Sequence, residues 1–163
     1  MHYRSEIDGL RALAIIPVVL FHAGVEFCSG GFLGVDIFFV ISGYLITGII
    51  VKETQENKFS VINFLTRRAR RILPPLYFMM FAVSIFYLLI ARPSVEECNL
   101  LGESLLSSVS FLSNFYFAIN TGYFAASSEL LPFLHTWSLS VEEQFYLIYP
   151  PLLLIFLRLG KKF

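Results

Sequence analysis

Residues 7–22 read IDGLRALAIIPVVLFH, and this stretch decides the fold because it places an arginine and a histidine within an apolar run. Arg11 and His22 are 11 residues apart. On an α-helix this spacing is about 1,100° of rotation, about 20° from three whole turns, so both side chains point to one face. They lie about 16 Å apart along the axis, about half the thickness of a bilayer's hydrocarbon core. Two costly polar side chains on one face of an apolar helix indicate a function; the alternative for Arg11, near the inner end of the run, is an arginine that snorkels to the membrane interface.

The composition is that of an integral membrane protein. Of the 163 residues, 56% are hydrophobic and 15% are charged, whereas soluble domains carry about 25% charged residues. The mean hydropathy is +0.71. Twelve basic and twelve acidic residues balance, so the charge gives no indication of a nucleic-acid partner. Two cysteines provide neither a disulfide framework nor metal-ligand spacing, and we expect no metal.

Four apolar runs, at residues 10–27, 31–51, 72–91 and 139–157, are long enough to cross a bilayer. A cleavable signal peptide is disfavoured for the first run, because no small-x-small cleavage site follows it. A fifth run, at residues 100–118, contains Glu103 and many serines. The sequence therefore predicts an all-α integral membrane protein, a polytopic bundle of four or five transmembrane helices within one domain, residues 1–163.

The distribution of basic residues sets the predicted orientation. Residues 52–71, KETQENKFSVINFLTRRARR, carry six basic side chains and are predicted to be cytoplasmic. The N-terminus with Arg4 then also lies inside, and residues 92–138 lie outside. If residues 100–118 cross the membrane, the basic end RLGKKF with Lys161 and Lys162 lies outside. If they form a partly helical outer segment, that end lies inside, and we favour this four-span arrangement.

Glycines and prolines predict local features of the helices. Pro17 lies in the middle of the first span, where its missing N–H predicts a kink. Gly43 and Gly48 in the second span are expected at a close helix–helix contact. Pro74 follows a basic cluster and is expected in the first turn of the third span, where a missing N–H costs little.

The first two spans form a predicted antiparallel hairpin with a short outer turn. His22 lies five residues before the end of the first span, and Asp36 lies five residues after the start of the second. We therefore expect both side chains at similar depth, in the outer third of the membrane. A buried carboxylate beside a histidine fixes the imidazole tautomer, as in a catalytic triad. A structural polar contact that locks the hairpin is the alternative.

The four arginines of residues 67–71, RRARR, have two interpretations of equal weight. They anchor the cytoplasmic end of a span against anionic lipid headgroups. Alternatively, their planar forks bind the phosphates of a cytoplasmic cofactor.

The last constellation is residues 135–150, HTWSLSVEEQFYLIYP, at the entry to the fourth span. Ser138 or Ser140 is expected to cap this helix, with acidic residues in its first turn. That interpretation accounts for one glutamate. It does not explain the second glutamate, the glutamine and the tyrosine that follow toward the membrane, or the histidine and tryptophan beside them. This stretch is therefore also a candidate polar site. No metalloprotease, phosphate-loop, serine-hydrolase or nucleic-acid motif occurs in the chain.

At these motifs the chain resembles membrane-bound acyltransferase family 3, the O-acetyltransferases that modify bacterial surface polysaccharides. The opening stretch resembles the family's arginine–ten residues–histidine motif. Residues 30–47 resemble its second helix, residues 67–75 its basic RxxR motif and residues 135–150 its Trp-Ser-Leu…Glu-x-Gln-Phe-Tyr signature. The matching residues are Arg11, His22, Asp36, Arg68, Arg71, Trp137, Ser138, Glu142, Gln144 and Tyr146.

The resemblance implies an enzyme that moves an acyl group, most simply acetyl from cytoplasmic acetyl-CoA, to a hydroxyl of a cell-surface or lipid-linked carbohydrate such as lipopolysaccharide. His22 would carry the acyl group or act as base. Asp36 would orient it, and Arg11 would stabilise negative charge on the thioester. Glu142 would assist proton transfer. Arg67, Arg68 and Arg71 are expected at the donor; His135, Trp137, Ser138 and Tyr146 are expected at the acceptor.

The resemblance covers only the N-terminal half of such a domain, so a C-terminal half or another subunit is expected to complete it. The expected location is the plasma membrane, or the inner membrane of a Gram-negative host, with several passes. Two other classes stay open. A transporter or channel subunit also lines helices with polar residues, and a non-catalytic membrane fragment would fit the chain length.

Overall fold

The computed structural model describes residues 5–120 and 131–160, and all regular structure in those residues is helical. Three basic residues that support the predicted orientation lie outside the described residues: Arg4, Lys161 and Lys162. The chain divides into two compact units, Met1–Phe59 and Ser60–Phe163. The described residues contain six α-helices: α1 Ser5–His22, α2 Gly34–Gln55, α3 Val61–Phe86, α4 Val95–Val109, α5 Ser113–Asn120 and α6 Thr136–Gly160.

Within residues 5–120 and 131–160, two helical stretches are long and apolar enough to cross a membrane, Gly31–Gln55 and Val61–Ala91. The first is α2 with a preceding 3₁₀ turn, and the second is α3 with a π-helical turn at its end. Large apolar side chains on the outer faces of these helices are exposed, among them Val40 and Phe78. Such faces suit a lipid environment. The spans at residues 10–27 and 139–157 stay predictions.

The helix of the first predicted span ends at His22, so its predicted extension to residue 27 is wrong. Gly24 adopts φ +76°, a left-handed conformation that glycine tolerates. Its N–H donates to Phe21 O at 3.0 Å, and the Val25 N–H donates to Leu20 O at 3.1 Å. This pair of bonds is a Schellman motif, which closes a helix by satisfying its last carbonyls.

Two glycines allow α1 and the start of α2 to approach closely. A Cβ atom at Gly31 would overlap the Pro17 carbonyl oxygen and lie 2.9 Å from Phe21 Cβ. A Cβ atom at Gly34 would overlap the Ala14 carbonyl oxygen and lie 2.8 Å from Val18 Cγ2. The hairpin is therefore in register with Gly31 opposite Pro17 and Gly34 opposite Ala14.

Gly43 and Gly48 do not form the close contact that the sequence predicts. A Cβ atom at either position would meet no other atom within 4 Å, apart from its own helical surroundings. The close approach lies nearer the turn, where the chain reverses.

Helix α3 begins at Val61, well before the predicted third span at residue 72. The Ser60 side chain accepts a hydrogen bond from the Asn63 N–H and caps the helix. The arginine cluster is consequently helical. Pro74 and Pro75 lie inside α3 rather than in its first turn, so the prediction for Pro74 is wrong.

The serine-rich run at residues 100–118 is two helices rather than one span. Helix α4 has 15 residues and α5 has 8. Phe111 adopts φ +55°, and the Leu112 N–H donates to Ser107 O at 2.8 Å. These features end α4, and the separate helix α5 begins at Ser113. Each helix is shorter than the roughly 20 residues that a crossing requires.

A capping box starts α4 and makes its first turn sensitive to pH. The Ser94 N–H donates to Glu97 Oε2 at 2.7 Å, and the Glu97 N–H donates to Ser94 Oγ at 3.3 Å. Hydrogen bonds with the Ser94 backbone and side chain hold the pKa of Glu97 below its ordinary value of 4.5. Because the folded pKa is the lower one, this contribution is present above the unfolded pKa and disappears as the pH falls through the folded value.

We therefore expect amides in the first turn of α4 to lose hydrogen-exchange protection between about pH 6 and about pH 3. Glu97→Gln should remove most of this pH dependence. Glu96→Gln, one residue earlier and outside the capping box, should keep it. Equal protection factors at both pH values in the unmodified protein would contradict the prediction.

Candidate active site

His22 is the last residue of α1, and its side chain is exposed. Its Nδ1 lies 2.8 Å from the Val18 carbonyl oxygen. A carbonyl only accepts hydrogen bonds, so Nδ1 carries the proton and, in the neutral ring, Nε2 keeps its lone pair. The Phe21 ring packs edge-on against the imidazole, with centroids 5.2 Å apart. A fixed ring with a basic Nε2 suits a general base or a nucleophile.

The expected pairing of Asp36 with His22 is wrong. The glycine register of the hairpin places Asp36 level with Ala12, about 15 Å from His22 along the axis. Asp36 also lies two residues from Gly34, about 200° around α2, so it points away from α1. Its side chain is exposed. The Val18 carbonyl, rather than Asp36, fixes the His22 tautomer.

Arg11 is half-buried on the face of α1 that packs against α2. Its guanidinium carbon lies 5.0 Å from the centroid of the Phe38 ring, within the range of a cation–π interaction. The contact holds the guanidinium of Arg11 against the Phe38 ring of α2. Its planar head is thereby fixed in direction.

The arginine cluster separates into two groups once it is helical. Arg67, Arg70 and Arg71 are exposed, whereas Arg68 is half-buried. The Arg68 guanidinium carbon lies 5.6 Å from the Phe64 ring centroid and 5.1 Å from that of Tyr146. The structure thus places Arg68 with α6, while the sequence groups it with its neighbours.

The inward half of the α6 motif meets Arg68. The Tyr146 hydroxyl donates to Glu142 Oε1, one helical turn earlier. Tyr146 is 2% exposed, so its ring contributes packing rather than an open pocket wall. Next to Glu142, the Oε1 atom of Glu143 is buried without a hydrogen-bond partner. Glu143 is the second glutamate of the candidate polar site that the sequence indicates, and the sequence predicts no separate role for it.

The outward half of the motif forms the start of α6. Helix α6 begins at Thr136, before the expected caps Ser138 and Ser140. Ser138 Oγ donates to His135 O at 3.1 Å. Trp137 packs against a core cluster from α3 to α6, while His135 is exposed. Of the predicted acceptor residues, His135 is therefore the one with an exposed side chain.

Hydrogen-bonded pairs of hydroxyl groups join α4, α5 and α6. The hydroxyl oxygens of Thr136 and Ser108 are 2.7 Å apart, and those of Ser140 and Ser113 are also 2.7 Å apart. All four side chains are buried. These hydroxyl pairs explain why a helical region with so many serines packs tightly.

Gln144 of the motif fastens α6 to α5. Its Nε2 donates to Phe111 O at 2.8 Å and to Asn114 Oδ1 at 3.0 Å. The Asn114 amide donates back to Gln144 Oε1 at 3.1 Å. The reciprocal pair fixes the direction of the helix that carries Glu142.

We expect Gln144→Leu to destabilise the Ser60–Phe163 unit by about 1–3 kcal/mol, because it leaves the partly buried Phe111 carbonyl and Asn114 amide without this partner. A lower melting temperature in detergent would show this effect. Asn120→Ala, at the exposed end of α5, is the matched control and should melt normally. An unchanged melting temperature for Gln144→Leu would contradict the prediction.

Comparisons with known proteins agree with these motifs. The family model described as an acyltransferase domain matches residues 4–163. The chain is 42% identical to the peptidoglycan O-acetyltransferase OatA of Listeria monocytogenes, over 96% of this chain and 25% of that protein. It is 38% identical to the O-acetyltransferase OatA of Staphylococcus aureus, over 91% of this chain and 24% of that protein. A putative O-acetyltransferase of the same species is 36% identical over 99% of this chain and 26% of its own length.

The chain thus spans about a quarter of the length of the curated relatives it matches. No solved structure matches it. The family match covers nearly every residue, and it includes the histidine, arginine and Glu-x-Gln-Phe-Tyr positions described above. The chain belongs to the acyltransferase 3 family.

Proposed function

We propose that this chain is the N-terminal part of a multi-pass membrane O-acetyltransferase that transfers acetyl from cytoplasmic acetyl-CoA to a hydroxyl of a cell-envelope carbohydrate. The observation that carries the proposal is His22, an exposed imidazole whose Nδ1 is bound to a carbonyl and whose Nε2 is basic. Similarity to a peptidoglycan O-acetyltransferase favours a peptidoglycan sugar as the acceptor.

His22 supports transfer by either of two balanced routes. In the first, Nε2 attacks the thioester carbonyl, an N–C bond forms, the C–S bond breaks and CoA leaves as a thiolate. The acceptor hydroxyl then attacks the acyl-imidazolium, the N–C bond breaks as the ester forms, and the hydroxyl proton passes through Glu142 to solvent, where it balances the charge of the thiolate. In the second, Nε2 takes the hydroxyl proton while the oxygen attacks the thioester, and the imidazolium returns that proton to the thiolate.

The other polar residues take supporting roles. Arg11, held by Phe38, lies about 16 Å from His22 along α1, too far to act on the carbonyl that His22 attacks, so its charge would contact a remote part of the donor. The exposed guanidinium groups of Arg67 and Arg71 would bind the phosphates of the donor. Glu142 would assist proton transfer at the acceptor, with its carboxylate oriented by Tyr146. The orientation supporting this scheme has the basic residues 52–71 and the N-terminus in the cytoplasm.

An exchange of segments tests the proposal. The N-terminal quarter of the Listeria peptidoglycan O-acetyltransferase is replaced by this chain and expressed in a strain that lacks the native enzyme. We expect mild alkali to release ester-linked acetate from the isolated cell walls. The deletion strain gives the baseline. Membrane-inserted hybrid protein that yields no acetate above this baseline would favour a non-catalytic fragment or a transporter subunit.

A further inference from the structure

Arg68 is packed differently from the other arginines of residues 67–71. It is the half-buried member, and the other three are exposed. On a helix, Arg68 is one turn from Phe64, and its guanidinium lies over the rings of both Phe64 and Tyr146. Each of these rings is 2% exposed, so the guanidinium closes over a buried aromatic pair rather than extending into solvent.

The contact depends on the planar shape of arginine. A guanidinium stacks on aromatic faces through its delocalised plane, whereas the ammonium of lysine is a compact and strongly hydrated charge. The Phe64 and Tyr146 rings lie edge to face, with centroids 6.3 Å apart and an interplanar angle of 88°. Arg68 therefore holds together one ring from α3 and one ring from α6.

Tyr146 connects this stack to the acidic pair of α6. Its hydroxyl donates to Glu142, so a movement of the ring moves the donor of that hydrogen bond. Arg68 and Glu142 both act electrostatically on the neighbouring Glu143, whose Oε1 is buried without a hydrogen-bond partner. Arg68 thus reaches both carboxylates, Glu142 through the tyrosine and Glu143 through its charge.

We infer that Arg68 is a positioning residue, which sets the Glu142 carboxylate through Tyr146, and that it is not a ligand of the donor phosphates. The inference rests on the proposed function. It divides the basic cluster between two tasks. The exposed Arg67 and Arg71 contact the donor, and the stacked Arg68 aligns the acid that serves the acceptor.

Steady-state kinetics of the hybrid enzyme in detergent separate these tasks, with acetyl-CoA and a soluble peptidoglycan fragment as substrates. We expect Arg68→Gln to lower kcat by about ten- to a hundredfold, because a misplaced carboxylate reacts poorly. Its KM for acetyl-CoA should stay within about twofold of the parent value. Arg71→Gln, the matched exposed variant, should instead raise that KM and change kcat little.

Tyr146→Phe completes the test, because it keeps the ring and removes the hydroxyl. It should lower kcat as Arg68→Gln does, and the double variant should be little worse than the worse single variant. Effects that multiply in the double variant would overturn the inference. A rise in donor KM for Arg68→Gln that matches Arg71→Gln would also overturn it.

Arg68→Lys keeps the test decisive if Arg68→Gln does not fold. Lysine preserves the charge for a phosphate and loses the planar stack, so kcat should fall while the affinity for radiolabelled acetyl-CoA is unchanged. Normal kcat with lysine would overturn the inference. If the unmodified hybrid binds acetyl-CoA but transfers no acetyl group, the proposed function fails, and the donor affinities of the variants still decide the role of Arg68. A hybrid that neither binds nor transfers would overturn both.

Discussion

His22→Ala should reduce acetyl transfer by at least about a hundredfold, since a positioned base contributes about 10² to 10⁴ in rate. The side chain is exposed at the end of α1, and its hydrogen bond to Val18 runs to a carbonyl of its own helix. Folding should therefore survive the substitution, and the loss should appear in kcat. Alkali-released acetate from cell walls measures the effect in cells, and radiolabelled acetyl transfer measures it in detergent.

Val19→Ala is the matched control for His22→Ala. Val19 is 60% exposed on the preceding turn of the same helix, so its truncation should leave transfer within about twofold. His22→Gln adds a second comparison, because glutamine is polar but has no basic nitrogen. Normal acetate release by either His22 variant would remove the reacting imidazole from the mechanism.

Gly34→Ala should destabilise the α1–α2 hairpin by about 1–3 kcal/mol or more, the range for overpacked cores. The new Cβ would overlap the carbonyl oxygen of Ala14, a backbone atom that moves only if the whole helix moves. Gly31→Ala should destabilise the hairpin in the same way, because its Cβ atom would overlap the Pro17 carbonyl oxygen. Melting temperature and the yield of monodisperse protein in detergent measure the effect.

Gly43→Ala and Gly48→Ala are controls on the same helix. Their Cβ atoms would enter open space, so they should be neutral or stabilise the helix by about 0.5–1 kcal/mol. The contrast within one helix separates steric overlap from helix propensity. If all four variants have the same melting temperature, the close contact of α1 with Gly31 and Gly34 is wrong.

The helical class and the family follow from apolar runs and motif spacing, whereas the ends of the helices do not. Gly24 and Phe111 end helices through left-handed backbone conformations, and Ser60 starts one by capping. Each of these signals occupies only a few residues inside an apolar or basic run. A hydropathy average over a longer window does not detect them, so the predicted ends of the spans differ from the observed ends of the helices.

The error over Asp36 has a specific cause. Equal residue counts from the turn predict equal depth only if both helices end at the turn. Instead α1 stops at His22, and the connecting residues 23–30 fold back so that Gly31 lies beside Pro17. Asp36 therefore lies deeper along the hairpin than its position in the sequence suggests.

The candidate site was predictable where chemistry depends on residue type and was not where it depends on packing. His22, Arg11 and Glu142 stand out as polar groups in apolar surroundings. Gln144 matched a family motif, but its role as the clamp to α5 required the position of Asn114. Arg68 could not be separated from its neighbours, because helical phase alone does not show which side of α3 meets α6.

The early end of α1 has a consequence for the bilayer itself. The apolar part of the helix, Gly9–His22, is about 21 Å long, against a hydrocarbon layer of about 30 Å. In the proposed enzyme α1 crosses the bilayer, and a helix with this hydrophobic mismatch thins the lipid around it. An acyl group that passes along α1 in that enzyme would have a shorter apolar barrier to cross than the surrounding membrane presents.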